Sequence, residues 1–402
     1  MRSFVAIGEP QRFFWSTIPQ IMKYDFDTII DRIDSRSTKW LKFDDPEILP
    51  MWVADMDFQC PPEVIEAIKN RADQGIYGYT ERPIELTSLL QQRLAERSGW
   101  EIDPDWVTWM PGVVVGLNVA CRTTLSPGDI AMVPSPIYRP FVYATDNMNR
   151  GMLKTDLINV QGRLELDYES IDELINEEVK MFFFCNPHNP GGTMFKKEEI
   201  KKLVDICEKN KTIICADEIH SDLLFETNRK HIHLAQTNEY AANNSITLMS
   251  PTKTFNMQGL PCGAAIIPNP ELRQEFRRNM RGIAAHIGVF AYTAAEAAYK
   301  HGDPWYQALM EYLIENRKLV REEISKIEGL SLYGPEATYL AWIDCSKSGL
   351  DDPSDFFINA GVGVHRGEYF GDNKFVRLNF GCPRSRLEEA LSRIKKAFSQ
   401  RN

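Results

Sequence analysis

The stretch Ile246-Thr-Leu-Met-Ser-Pro-Thr-Lys-Thr-Phe-Asn256 passes from an apolar run into a hydroxyl-rich turn that presents one lysine, Lys253. The apolar run is short enough to be a buried strand. A lysine at the end of a strand suits covalent amine chemistry with a carbonyl, provided that burial or nearby positive charge lowers its pKa. The hydroxyls of Ser250, Thr252 and Thr254 beside it suit a phosphate. The alternative for this stretch alone is a surface lysine in a polar loop.

The chain around this stretch alternates short apolar runs with segments of helical periodicity. Residues 130–133, 181–185 and 212–216 are apolar runs, and 196–209 has helical spacing. This alternation predicts an α/β fold with a mainly parallel central sheet covered by helices on both faces. Ligands of such sheets bind beyond the carboxyl ends of the strands. The polar residues that we expect to meet there are Tyr138, Asn189, Asp217 and Lys253.

The C-terminal part of the chain predicts a second, smaller α+β domain. Helical segments over 271–301 and 305–327 precede strand patterns at 339–343 and 375–380, and Arg377 is central in the last strand. The predicted organisation has four segments. They are an N-terminal arm of uncertain role (1–22), an N-terminal segment that joins the small domain (23–58), a large domain that binds the cofactor (59–300) and a small C-terminal domain (301–402).

The composition argues against several kinds of partner. The 402-residue chain has a net charge of −10, whereas a nucleic acid or an anionic membrane would favour a basic face. No apolar run approaches the roughly 18 residues of a membrane span. The eight cysteines are scattered without a C-x-x-C pair, which predicts reduced thiols in a cytoplasmic protein.

The predicted site matches the needs of pyridoxal phosphate, an aldehyde that carries a phosphate. Lys253 would hold the aldehyde, and Asp217 would keep the ring nitrogen protonated so that the ring can act as an electron sink. Arg377 could clamp a substrate carboxylate. The alternatives are that Asp217 caps a helix and that Arg377 is a partnered edge charge. The phosphate would be held by backbone amides at a strand-to-helix junction and by hydroxyls, which belong to Gly112, Val113, Val114, Ser250 and Thr252.

Asp217 and Lys253, with Asn189-Pro-Gly upstream and Arg377 in a late strand, resemble residues of the fold type I pyridoxal phosphate enzymes, the aspartate aminotransferase superfamily. The resemblance covers nearly everything after Met22. Within that superfamily, five ordered motifs are similar to those of the MalY/PatB branch, which are carbon–sulfur β-lyases of the cystathionine β-lyase type. The motifs are Trp52-Val-Ala-Asp-Met-Asp-Phe58, Tyr77-Gly-Tyr-Thr80, Cys185-Asn-Pro-His-Asn-Pro-Gly191, Asp217-Glu-Ile-His220 and Lys253-Thr-Phe-Asn256.

The resemblance implies a role for each matched residue. It assigns Asn189 to the phenolic oxygen of the cofactor and Tyr138 to stacking on the cofactor ring. Tyr79 would reach the phosphate of the neighbouring subunit, which implies a homodimer with shared active sites. The implied catalytic residues are Lys253, Asp217 and Tyr138, His220 joins the cofactor-binding residues, and the implied substrate-binding residues are Arg377, Asn189, Trp52 and Ala54.

The reaction implied by the resemblance is an α,β-elimination. Its substrate is a small amino acid, cystathionine or another cysteine S-conjugate, and its products are a thiol, pyruvate and ammonia. Two departures from the aminotransferase pattern favour this branch, because His220 stands where aminotransferases usually have tyrosine and Pro261 where they usually have arginine. A class I/II aminotransferase and a pyridoxal phosphate-binding regulatory protein that acts through protein contacts are the alternatives.

A metal site is not expected. His231-Ile-His233 has the spacing for two ligands on one strand face, but no cysteine or carboxylate cluster accompanies it in the sequence. We therefore predict that the protein binds no metal.

Overall fold

The computed structural model describes residues 24–226 and 228–401, so the predicted arm of residues 1–22 lies outside the described residues. The strands are β1 (Leu49–Pro50), β2 (Val107–Met110), β3 (Ile130–Ser135), β4 (Gly151–Val160), β5 (Arg163–Leu166), β6 (Val179–Cys185), β7 (Ile213–Asp217), β8 (Ser245–Met249), β9 (Gly263–Ile266), β10 (Ser331–Tyr333), β11 (Leu340–Asp344), β12 (Val362–Gly363), β13 (His365–Arg366) and β14 (Phe375–Asn379). The α-helices are α1 (Pro62–Asp73), α2 (Leu86–Ser98), α3 (Val113–Thr124), α4 (Pro140–Asn147), α5 (Tyr168–Leu174), α6 (Lys197–Asn210), α7 (Glu239–Asn243), α8 (Pro270–Met280), α9 (Val289–His301), α10 (Asp303–Ile324), α11 (Pro353–Asn359) and α12 (Arg384–Ser399).

An eight-stranded sheet has the order β2-β9-β8-β7-β6-β3-β4-β5. Strands β4, β3, β6, β7 and β8 are parallel, and antiparallel pairing is confined to β2 and β9 at one end and β5 at the other. The prediction of a mainly parallel sheet is confirmed. Cys185 pairs with Asp217, and Asp217 pairs with Leu248, so β6, β7 and β8 end at the same edge.

Helices cover both faces of this sheet, as alternate side chains of β6 illustrate. Phe182 and Phe184 pack in a core with residues of α5, α6 and α7, whereas Met181 and Phe183 pack with residues of α3, α4 and α8. Because both faces are buried, apolar side chains fill consecutive positions of the strand. This is why the strands are visible in the sequence as continuous apolar runs.

A second, antiparallel sheet in the order β10-β11-β14-β13 packs with α10, α11 and α12. Strand β14 lies between β11 and β13, which places Arg377 on an interior strand. Strand β1 pairs in parallel with β12 and so joins the N-terminal segment to this part of the chain. The predicted segment boundaries stay predictions.

The prediction of one helical segment over 271–301 is wrong, because α8 ends at Met280 and α9 begins at Val289. Gly282 has a φ of +80°, and Gly288 is extended where it caps α9, so the backbone leaves the helical region twice. The hairpin of β4 and β5 was not predicted, because β4 lies beside the edge strand and most of its side chains are exposed, with only Thr155 and Leu157 buried. Among the described residues, no helix has both the length and the apolar character needed to cross a membrane.

Candidate active site

A cavity of about 350 Å³ lies at the carboxyl ends of β6, β7 and β8, where the large sheet meets the small one. The residues that line it come from distant parts of the chain. Trp52 and Arg377, for example, are joined by a hydrogen bond from the guanidinium of Arg377 to the carbonyl oxygen of Trp52. Twelve of the predicted site residues line the cavity. They are Trp52, Ala54, Gly112, Val113, Val114, Tyr138, Asn189, Asp217, His220, Thr252, Lys253 and Arg377.

Lys253 projects into this cavity from the turn after β8. Its Nζ donates a hydrogen bond of 2.6 Å to the carbonyl oxygen of Ala54. Burial lowers the pKa of Lys253 to about 8, with Arg377 acting in the same direction and Asp55 and Asp217 opposing it. A substantial fraction of the amine is then neutral near physiological pH, which covalent amine chemistry requires.

Asp217 is the last residue of β7 and is 5% exposed. Its Oδ1 accepts a hydrogen bond from the N–H of Ile219 at 3.1 Å. Burial raises the pKa of Asp217 to about 7, although the Ile219 hydrogen bond and Lys253 both act to lower it. A carboxyl group in this range can exchange a proton with a heteroaromatic nitrogen near neutral pH. The chain after Asp217 forms a turn and not a helix, so Asp217 is not a helix cap.

Arg377 is 2% exposed on β14 and reaches into the cavity from the small sheet. It donates hydrogen bonds to Asn189 Oδ1 at 2.8 Å and to the carbonyl oxygen of Trp52 at 2.9 Å. Its Nε has no hydrogen-bond partner among the described residues, and no carboxylate of those residues forms an ion pair with the guanidinium. Burial lowers the pKa of Arg377 to about 10, so the side chain stays charged at neutral pH. The alternative of a partnered edge charge is therefore wrong.

An anion-binding geometry is present where α3 begins. Gly112 caps the helix with a φ of +104°, a conformation that favours glycine. The N–H groups of Val113, Val114 and Val115 have no acceptors within the helix, as is general for a first turn, and all three residues line the cavity. Thr252 lines the cavity beside them. Free N–H groups at the positive end of a helix attract a phosphate.

Two predicted cofactor-binding residues lie outside this cavity. Ser250 instead lines a neighbouring cavity, and its hydroxyl donates to the carbonyl oxygen of Cys262 at 2.6 Å. Its Oγ also lies 2.8 Å from the Oγ1 of Thr252, which lines the active-site cavity, and the contact of Ser250 with the phosphate stays a prediction. Tyr79 is fully exposed on the surface, and its ring lies 5.9 Å from that of His286.

Tyr138 and His220 complete the predicted set. Tyr138 follows β3 and is partly buried, and burial raises the pKa of its phenol. His220 is 2% exposed, and burial together with Lys253 and Arg377 lowers its pKa to about 3. Both side chains are therefore uncharged at neutral pH.

Among the lining residues that sequence reasoning did not predict are two with aromatic rings, His365 and Tyr369. His365 lies opposite Arg377 in the pairing of β13 with β14. Strand β13 contains two residues, which is too short for a periodic signal. The available signal is the grouping of aromatic side chains from His365 to Phe370 shortly before the strand of Arg377.

The sequence-based reason for expecting no metal is wrong. Glu218 is fully buried beside Asp217, and its Oε2 contacts His231 Nε2 at 3.0 Å and His233 Nδ1 at a shorter distance. A carboxylate therefore does accompany the two histidines. Its Oε1 accepts a hydrogen bond from the N–H of Leu234 at 2.9 Å. The absence of a metal stays a prediction.

Comparison with known proteins identifies the family. The model for class I and II aminotransferases matches residues 46–394. The chain is 35% identical to the cystathionine β-lyase PatB of Bacillus subtilis over 93% of its own length and 100% of that protein. The crystal structure of OvoB is similar with a TM-score of 0.91 and 41% identity, and the match covers 94% of this chain and 99% of OvoB. The crystal structure of cystalysin from Treponema denticola, which contains pyridoxal 5′-phosphate, is similar with a TM-score of 0.90 and 31% identity, and the match covers 95% of this chain and 100% of cystalysin. The chain belongs to the class I and II aminotransferase family.

Proposed function

We propose that the protein is a pyridoxal 5′-phosphate-dependent carbon–sulfur β-lyase, which converts cystathionine or another cysteine S-conjugate to a thiol, pyruvate and ammonia. The observation that carries the proposal is the convergence of Lys253, Asp217 and Arg377 on one cavity. The lyase reaction is supported by the similarity to PatB, which spans that protein from end to end. The cofactor is supported by the likeness to cystalysin.

The residues of the cavity fit pyridoxal phosphate. The free amides at the start of α3 would hold its phosphate, and Lys253 would hold its aldehyde carbon. Asp217 would face the ring nitrogen, Tyr138 would stack on the ring and Asn189 would contact the phenolic oxygen. Bound in this way, the cofactor supplies an electron sink for negative charge that develops at Cα.

The mechanism assigns a task to each ionisable group. Arg377 binds the α-carboxylate of the substrate and thereby orients the Cα–H bond. Lys253, released as a neutral amine when the amino group of the substrate takes its place, would take the Cα proton onto Nζ, and Asp217 would keep a proton at the ring nitrogen. The thiolate then leaves from Cβ with the electrons of the Cβ–S bond. One water molecule is consumed when pyruvate and ammonium are released.

The experiment that tests this function measures products from S-substituted cysteines with the purified, cofactor-loaded protein. We expect thiol and pyruvate in equal amounts, without any added keto acid. Lys253→Ala should abolish both products, whereas the exposed Lys201→Ala should not. Keto-acid-dependent amino transfer without pyruvate release would instead identify an aminotransferase.

We also propose a homodimer in which Tyr79 of the partner subunit contacts the phosphate. Tyr79 is fully exposed and does not line the cavity of its own chain. Large apolar side chains near it are exposed as well, which is typical of a surface that another protein covers. They are Ile76, Tyr77 and Ile84, exposed by 76%, 55% and 93%.

Mixing two inactive variants tests the shared site. A dimer of Lys253→Ala with Tyr79→Ala contains one site that has both native residues, so activity should return on mixing after subunit exchange. Each variant alone, treated identically, is the control. A monomeric protein, or a mixture as inactive as its components, would contradict the shared site.

A cytoplasmic location is part of the same proposal. None of the eight cysteines is paired in a disulfide, and seven of them are buried. Reduced thiols in this number are typical of a cytoplasmic protein.

A further inference from the structure

Three aromatic side chains line one side of the cavity, and the proposed reaction uses none of their rings. They are Trp52, His365 and Tyr369, which we call the aromatic wall. The ring centroids of Trp52 and His365 lie 5.5 Å apart, and those of His365 and Tyr369 lie 4.4 Å apart. All three side chains are partly exposed, so ring surface faces the cavity.

The wall is uncharged, and the cations beside it do not occupy the cavity. Burial together with Arg377 lowers the pKa of His365 to about 3, so its ring is neutral at physiological pH. Lys42 Nζ lies 4.6 Å from the ring centroid of Trp52, and the Arg139 guanidinium lies 5.8 Å from that of Tyr369. Neither Lys42 nor Arg139 lines the cavity. Neither cation therefore blocks the ring surface that faces the cavity.

The wall adjoins the side chain that would bind the substrate carboxylate. Arg377 donates a hydrogen bond to the carbonyl oxygen of Trp52, and His365 is its cross-strand partner. In a cysteine S-conjugate, the sulfur is only two bonds from Cα. A substrate whose carboxylate contacts Arg377 thus carries its S-substituent close to the aromatic wall.

We propose that the aromatic wall selects planar aromatic S-substituents, so that S-aryl and S-heteroaryl cysteines are the preferred substrates. This inference rests on the proposed function, which makes Arg377 the carboxylate clamp. Aromatic rings attract one another in offset-stacked and edge-to-face arrangements. A saturated ring of the same carbon number gains hydrophobic burial at the wall but lacks that attraction.

Two acids that lack the amino group test the selection by binding alone. They are 3-(phenylthio)propanoate and 3-(cyclohexylthio)propanoate, which share the carboxylate and the sulfur and differ in the ring. Titration calorimetry with the cofactor-loaded protein gives both Kd values. We expect the phenyl acid to bind about fivefold to tenfold more tightly, as one or two aromatic contacts would give. Equal affinities, or tighter binding of the cyclohexyl acid, would overturn the inference.

Substitutions in the aromatic wall test whether it causes the preference for the phenyl acid over the cyclohexyl acid. Combined His365→Leu and Tyr369→Leu should bring the ratio of the two Kd values close to one, whereas Tyr369→Phe, which keeps the ring, should preserve it. Phe356→Leu is the matched control and should leave the ratio unchanged, because Phe356 of α11 contacts Phe398 of α12 and does not line the cavity. A ratio that persists in the double variant would contradict the role of the wall. Should that variant not fold, the wild-type ratio decides.

Turnover separates failure of this inference from failure of the function. Pyruvate release from S-phenyl-L-cysteine and S-cyclohexyl-L-cysteine is measured with the same preparations. Absence of pyruvate from every S-conjugate would refute the lyase. Pyruvate from both substrates with equal kcat/KM would refute the selection and leave the lyase standing.

Discussion

Arg377→Lys tests how the cavity binds a carboxylate. Lysine keeps the positive charge but cannot form the two parallel hydrogen bonds of a guanidinium. One hydrogen bond to a charged group contributes about 1.5–3 kcal/mol, so losing one of two costs about 2 kcal/mol. Since 1.4 kcal/mol is a factor of ten, we expect the Kd of a carboxylate ligand to rise about 30-fold. The bonds of Arg377 to Asn189 and Trp52 hold the native side chain in place for this contact.

The assay is titration calorimetry of 3-(methylthio)propanoate into the cofactor-loaded protein. 3-(Methylthio)propanamide, which has no charge, should bind to the wild type and to the variant with similar Kd values. Arg163→Lys is the matched control, because Arg163 binds Glu199 and Glu336 outside the cavity. If the acid binds to Arg377→Lys within twofold of its wild-type Kd, Arg377 is not the carboxylate clamp.

Three further perturbations follow from the buried charges. Asp217→Asn removes the carboxylate at the ring nitrogen and should lower kcat/KM by about a hundredfold or more in steady-state assays, while binding of the amine-free acids persists. In cofactor-free protein, the initial rate of pyridoxal phosphate uptake should rise with pH with a midpoint near 8, because Lys253 reacts as the neutral amine; a midpoint near 10 would contradict its lowered pKa. Asp57→Asn leaves Lys39 and Arg386 buried without their shared partner, and urea unfolding should show a loss of about 3 kcal/mol. Burial opposes ionisation of Asp57, but its cationic neighbours lower its pKa overall. The ionised carboxylate therefore stabilises the wild type fully above its unfolded pKa of about 4, and this contribution is lost as pH falls below that value. The variant should lack this pH-dependent loss of stability.

The large sheet and the residues at its strand ends were predictable from the sequence. Strands buried on both faces, such as β6 and β7, need apolar side chains at consecutive positions, and this leaves a clear signal. Asp217 and Lys253 interrupt that signal where their strands end. The parallel order of the strands then brings both side chains to one edge.

Other features depend on contacts that sequence spacing does not encode. His365 enters the cavity because β13 pairs with β14, and a pairing of two residues leaves no pattern. Glu218 meets His231 and His233 because the chain turns back after β7, a path set by tertiary packing. Ser250 shares the hydroxyl-rich turn of Lys253, and its hydroxyl contacts both the backbone of Cys262 and the hydroxyl of Thr252, which the spacing of these residues does not show.

The position of Arg377 determines which parts of the molecule a bound substrate contacts. The guanidinium belongs to the antiparallel sheet, whereas Asn189 and the lysine-bearing turn belong to the parallel one. A ligand carboxylate bound to Arg377 would therefore connect the antiparallel sheet to the parallel sheet. An amine that lacks the carboxylate would not make this contact with Arg377, so part of the substrate's affinity would be used to hold the two sheets together around the reacting bond.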